Sequence, residues 1–203
     1  MLGQTKGQHE LERTRPGRTT REASARGSSL VVRAFGDALP GKTRGAVKNY
    51  RTLSVAEIER FPLPPIADDA LLLLWRVSAM VEEALCVCRA WGFQVKSEIV
   101  WVKTTGDGDS TKLSFGMGRF VRAAHETCIV AARGRAASQV IDHSVRSVFL
   151  APRGAHSEKP AEFYKLAERL FPAPRCEMFA RGAPRPGWIR YGDEAIGAPD
   201  SPA

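Results

Sequence analysis

Apolar residues follow two spacings along this chain. Near-continuous apolar runs within Asp68–Trp75, Glu98–Lys103 and Thr127–Ala132, each bounded by charged or turn residues, predict strands buried on both faces. Elsewhere the spacing is helical. Val81, Ala84, Leu85, Cys88 and Trp91 share one face, with Ser78 placed to cap the helix and Gly92 to end it. Phe163, Leu166, Ala167 and Leu170 fall at i, i+3, i+4 and i+7, opposite Glu162, Lys165, Glu168 and Arg169. Pro160 suits the first turn of that helix, and Pro172 and Pro174 stop it before an apolar strand around Met178 and Phe179. A turn at Arg185-Pro186-Gly187 then leads into a second strand that runs to Gly192, Asp193 and Glu194. Further upstream, Ser54 and Glu57 have the spacing of a capping box on a short helix. Strand, helix, strand at these lengths predicts an α/β fold with a mostly parallel central sheet flanked by helices.

Composition sets the scale. With 203 residues, 43% of them apolar, the chain is expected to form one domain of ordinary size. Its net charge of +8 suggests a nucleic-acid partner, but the charge is uneven. Residues 1–50 hold ten Lys/Arg against four Asp/Glu, and residues 51–203 hold twenty against eighteen. Basicity therefore concentrates in an N-terminal stretch poor in apolar residues. Residues 1–33 are expected to form a basic, disordered tail, residues 34–196 the domain, and residues 197–203 a flexible C-terminal tail. The longest aliphatic run, Ala70 to Leu74, is far too short to span a bilayer, so a cytoplasmic protein without membrane contact is expected. Cys86, Cys88, Cys128 and Cys176 fall on predicted helix and strand positions and read as buried reduced thiols. Cys86 and Cys88 point in different directions on a helix, which argues against a metal site.

The richest chemistry lies near the C-terminus, where Ser157, Lys159 and Pro160 precede the helix. Glu177, Phe179 and Arg181 then lie on one strand, and Trp188, Gly192, Asp193 and Glu194 on and after the next. As an ordered set this resembles the MT-A70-like family of S-adenosylmethionine-dependent adenine-N6 methyltransferases, bacterial and phage members especially. The resemblance extends upstream to about Phe35, taking in Asn49-Tyr50-Arg-Thr-Leu-Ser54 and the three apolar strands.

The resemblance implies a Rossmann-like methyltransferase fold whose ligands sit at the carboxyl ends of the strands. It implies S-adenosylmethionine as cofactor, bound by Ser157, Lys159, Phe179, Arg181, Gly192, Asp193 and Glu194. The substrate side would involve Asn49, Tyr50, Lys103 and Arg119, with Lys112 and Arg122 adding positive charge to the loop after Lys103. Nucleic acid is the implied partner, DNA in preference to RNA, and a flipped or single-stranded adenine the implied target. A homo- or heterodimer is compatible with the family. One family feature is missing: no Asp-Pro-Pro-Trp motif follows Val32 or occurs elsewhere in the chain, so no catalytic residue is assigned. The alternative reading is therefore an inactive methyltransferase-like subunit that binds nucleic acid or an active partner.

Overall fold

The computed structural model describes residues 53–107, 112–116, 120–154, 158–180 and 185–191, together with the backbone of residues 28–32. Seven strands form one sheet: β1 (Ser28–Val32), β2 (Ala70–Arg76), β3 (Gln94–Thr104), β4 (His125–Arg133), β5 (Val148–Pro152), β6 (Arg175–Met178) and β7 (Trp188–Tyr191). They are ordered β5-β3-β4-β2-β1-β6-β7. Helices α1 (Val55–Arg60) and α2 (Val81–Ala90) contribute to one face, and α3 (Ala161–Leu170) covers the other.

This is an α/β architecture with a mixed sheet, in which four of the six strand pairings are parallel. β1 is parallel to β2 and β6, β3 to β5, and β6 to β7, but β4 runs against both of its neighbours, β2 and β3. The β2-α2-β3 unit does have two parallel strands, and β4 lies between them. An apolar run such as Cys128–Ala132 carries no mark of its direction. Direction comes from the connection, and the segment from residue 105 to 124 contributes no crossover helix among its described residues.

Burial explains the runs. Along β2, Leu72 and Leu74 pack with Ala84, Val87, Cys88, Trp91 and Ile129, while Leu71, Leu73 and Trp75 pack with Ile99, Trp101, Phe163 and Phe171. A strand covered on both faces cannot alternate apolar with polar.

The capping box forms in full: Glu57 N–H donates to Ser54 Oγ at 3.3 Å, and Ser54 N–H to Glu57 Oε2 at 2.7 Å. Ser78 does not cap α2. It sits in a turn closed by Met80 N–H donating to Val77 O at 3.0 Å, and Met80 occupies the cap position without a side-chain bond. Val81, expected on the buried face, is 40% exposed. Cys86 is likewise exposed, because the buried stripe of α2 runs through Ala84, Val87, Cys88 and Trp91. The other three thiols are buried, and burial pushes Cys88 up to about 11 and Cys176 to about 12.

β1 pairs on both sides, with β2 and β6. Residues 28–32 therefore belong to the sheet, and the β-branched Val31 and Val32 suit a strand with two partners. β5 escaped the sequence pattern because Val148 and Leu150 are each 49% exposed on an edge strand.

After β4 the chain turns sharply at Gly134, where φ is +61° and an added Cβ would lie 2.7 Å from the Asp68 carbonyl oxygen. Next to it, Arg135 N–H donates to Asp69 Oδ1 at 2.7 Å. Gly134→Ala should lower stability by about 2 kcal/mol, since it combines a left-handed backbone with a clash on main chain. Urea denaturation of the two proteins measures the difference.

The turn before β7 is held by Glu168 on α3. Arg185 donates to it through Nε at 2.7 Å and Nη2 at 3.0 Å, and Trp188 Nε1 donates at 2.8 Å. The Arg185 hydrogen bonds, helped by Trp188, pull the Glu168 carboxyl down to about 2. A carboxyl depressed on folding stabilises the fold above its ordinary pKa of 4.5 and loses that contribution as pH falls towards 2. Glu168→Gln is thus expected to cost about 1 kcal/mol at pH 7 and close to nothing at pH 2, measured by denaturation at both values.

Candidate functional site

Six of the seven strands point their carboxyl ends to one edge of the sheet. Because β4 runs the other way, its amino end, His125 and Glu126, reaches that same edge. Glu126 pairs with Trp101 in the β3–β4 ladder and His125 with Val102. Side chains two apart on a strand share a face, so Lys103 and Trp101 stand with Glu126 on the α3 side.

Here the site assembles. Lys103 Nζ meets Glu126 Oε1 at 2.7 Å, and Lys159, just before α3, donates from Nζ to Glu126 Oε2. The Lys159 side chain is only 12% exposed, and its ammonium lies 4.6 Å from the centre of the Trp75 ring. Lys103 lies 5.3 Å from the Trp101 ring. Two cations therefore converge on one carboxylate over two tryptophans that meet edge to face at 6.4 Å. Burial alone would raise the Glu126 carboxyl, but the charges and hydrogen bonds of Lys159 and Lys103 outweigh it and hold the carboxyl below its ordinary value. Beneath them, the buried indole N–H of Trp75 has no hydrogen-bond partner.

A second cluster sits on the α1 side of the same edge. Phe179, immediately after β6, has φ +54°, in the left-handed region that a bulky side chain rarely adopts. Its N–H donates to Tyr191 O at 2.8 Å, and its ring packs 4.8 Å from Phe61, which in turn lies 6.3 Å from Tyr191. Backbone strain of this kind persists only where the surroundings enforce it, and it marks the turn off β6 as a candidate ligand contact.

Of the residues expected from sequence, Lys159 and Lys103 come together through Glu126. Phe179 reaches the same edge but packs against the opposite face of the sheet. Ser157, Arg181, Gly192, Asp193, Glu194, Asn49, Tyr50 and Arg119 lie outside the described residues. Glu177, part of the same motif, is buried and accepts from Tyr164 Oη at 2.8 Å. Glu126 is a site residue to which the sequence pattern assigns no role. Its signal was weak but present: a carboxylate directly ahead of a buried apolar run, on a strand that has no solvent face to place it on. Among the described residues, no group of three His, Cys, Asp or Glu side chains is arranged to hold a metal ion. No helix among them is long and apolar enough to cross a membrane.

Comparison with known proteins points one way. The MT-A70 family model matches residues 39–194. The N(6)-adenosine-methyltransferase catalytic subunit METTL3 of Homo sapiens is 31% identical over 152 residues, covering 73% of this chain and 26% of that protein. Type II methyltransferase M.MunI of Mycoplasma sp is 29% identical over 148 residues, covering 71% of this chain and 59% of its own length. The N(6)-adenosine-methyltransferase MT-A70-like protein of Drosophila melanogaster is 29% identical over 151 residues, 73% of this chain and 24% of that protein. The chain thus spans about a quarter of METTL3 and about three fifths of M.MunI.

Proposed function

Because the chain belongs to the MT-A70 family, we propose that it is an S-adenosylmethionine-dependent methyltransferase acting on the 6-amino group of adenine in nucleic acid. The observation that carries this reading is the convergence of Lys103 and Lys159 on Glu126 at the carboxyl edge, where open α/β sheets take their ligands. METTL3, by its name, methylates adenosine at N6, and the 31% identity makes the same target the first expectation here. DNA is preferred over RNA on the resemblance to compact bacterial and phage members. Dimer formation, with a second copy or a related subunit, belongs to the same reading.

The residues present fit the cofactor in part. Its carboxylate suits the ammonium of Lys159, and its polar atoms suit the buried Trp75 N–H, which has no acceptor of its own. Ser157, Arg181, Gly192, Asp193 and Glu194 would complete the pocket on the family pattern, with Phe179 as an apolar wall. When bound, S-adenosylmethionine supplies an electrophilic methyl group on a positive sulfur. Glu126 keeps Lys159 and Lys103 directed at the edge, and Asn49, Tyr50 and Arg119 would hold the base and its phosphates. The adenine amine is a poor nucleophile because its lone pair is delocalised into the ring. Two acceptors on its hydrogens localise that pair and aim it, which is positioning and electrostatics rather than strong base catalysis.

A second reading rests on a specific observation: the Asp-Pro-Pro-Trp motif that provides those acceptors in the family does not occur in this sequence. On that reading the chain is a silent subunit that binds nucleic acid or an active partner. An assay with labelled cofactor on adenine-containing oligonucleotides separates the two, and turnover by the purified chain overturns the silent-subunit reading. Calorimetry with S-adenosylmethionine tests the pocket directly, and absence of heat would remove the cofactor assignment. Inserting Asp-Pro-Pro-Trp after Val32 is expected to restore methyl transfer if the missing acceptors are the defect.

A further inference from the structure

We propose that the hairpin projecting from β3 and β4 is a base-stacking platform for single-stranded nucleic acid, with the rings of Phe115 and Phe120 as its faces. The inference rests on the nucleic-acid reading above and goes further, assigning a binding surface and the part of the strand it grips.

The hairpin is built by main-chain pairing directly above the charged cluster. Lys103 N–H donates to Ala124 O at 2.8 Å, and Ser114 N–H to Lys103 O at 2.8 Å. Thr105 N–H then donates to Lys112 O at 3.0 Å, and Gly116 N–H to Ala123 O at 2.9 Å. A paired segment that is rich in apolar residues would normally turn them inward. This one does the reverse: Leu113 is 47% exposed, Phe115 62%, Val121 76% and Phe120 93%.

Exposed aliphatic residues occur elsewhere on this protein, at Val148, Leu150 and Ile189 on the edge strands, but both strongly exposed phenylalanines among the described residues are here. Exposed cations flank them. Lys112 lies three residues before Phe115 and Arg122 two after Phe120. Lys112 is bound to Asp107 at 3.3 Å, an exposed pair that contributes little and that a phosphate can displace. Aromatic faces flanked by cations grip a single strand without reading its sequence, each base–ring stack contributing about 1 to 3 kcal/mol. The hairpin also grows out of Lys103, a member of the cluster where the target base is expected. A base delivered there would draw its neighbouring nucleotides past Phe115 and Phe120.

The test uses the full chain without cofactor, so it does not depend on turnover. Fluorescence anisotropy measures binding of a labelled single-stranded DNA of about 12 nucleotides and of an abasic strand of the same length and charge. The Phe115→Leu, Phe120→Leu double variant should bind the base-bearing strand at least tenfold more weakly and the abasic strand as the parent does. Phe115→Trp with Phe120→Trp should keep the affinity, because tryptophan stacks and leucine does not. Unchanged affinity of the leucine variant, or equal binding of both strands by the parent, would overturn the proposal. So would a change in oligomeric state on sedimentation with DNA affinity intact, which would make the patch a protein interface. If the parent binds no strand at all the platform falls, while the calorimetric titration with S-adenosylmethionine still decides the cofactor site separately.

Discussion

Phe163→Ala is expected to lower the free energy of unfolding by about 4 kcal/mol, the middle of the range for removing a fully buried aromatic ring. Phe163 has no exposed surface and sits on α3 with its ring 4.6 Å from Trp75, 5.9 Å from Tyr164 and 6.4 Å from Phe149. Its removal opens a void that the surrounding strand residues cannot close, because they are held by the sheet ladder. Lys165→Ala, on the exposed side of the same helix, should change stability by less than about 0.5 kcal/mol. Urea midpoints for the three proteins measure both effects. Phe163→Ala should also weaken the proposed binding of S-adenosylmethionine: Lys159 lies two residues before α3, and its ammonium rests on the Trp75 ring that Phe163 supports.

The second large effect is expected from Glu126→Ala, which should cost about 2 kcal/mol at pH 7. Breaking a buried ion pair can cost more, but Glu126 keeps 30% side-chain exposure and solvent offsets part of the loss. The variant leaves the ammonium groups of Lys103 and Lys159 beside each other without their shared counter-ion. Glu126→Gln should fall between parent and alanine variant, since an amide still accepts hydrogen bonds. The pH dependence follows from the depressed carboxyl. The Glu126 contribution is complete above its ordinary pKa of 4.5 and is lost as pH falls through the lower folded value, so parent and variant should converge in strongly acidic buffer. A gap that persisted at low pH would mean that Glu126 acts by packing alone.

These two residues also show what the sequence makes legible. Phe163 belongs to a pattern completed within ten residues, a helical stripe with a proline before it and two after, so local rules suffice. The capping box at Ser54 is equally local. Glu126 gains its meaning from Lys159, 33 positions away, and from the direction of β4. A strand's inward and outward positions can be read from its sequence, but which end faces the ligand edge depends on the path of the chain around it. The Lys159 assignment came from family resemblance, and its partner came only with the pairing of β3 and β4. β5 stayed hidden for another reason: an edge strand with half-exposed Val148 and Leu150 lacks the burial that makes a strand pattern visible.

β1 has a consequence for the way the chain is made. Among the described strands it comes first in the chain, and it lies between β2 and β6, where Ser29 is flanked by Leu71 on one side and Arg175 on the other. Its neighbour β2 follows it closely in the chain, but β6 is made only after β2, β3, β4 and β5. Throughout that interval the growing sheet carries an open parallel edge in its middle, a template for any passing strand. The nascent protein is therefore open to misassembly until β6 has been made, and a chaperone that shields strand edges should raise its soluble yield.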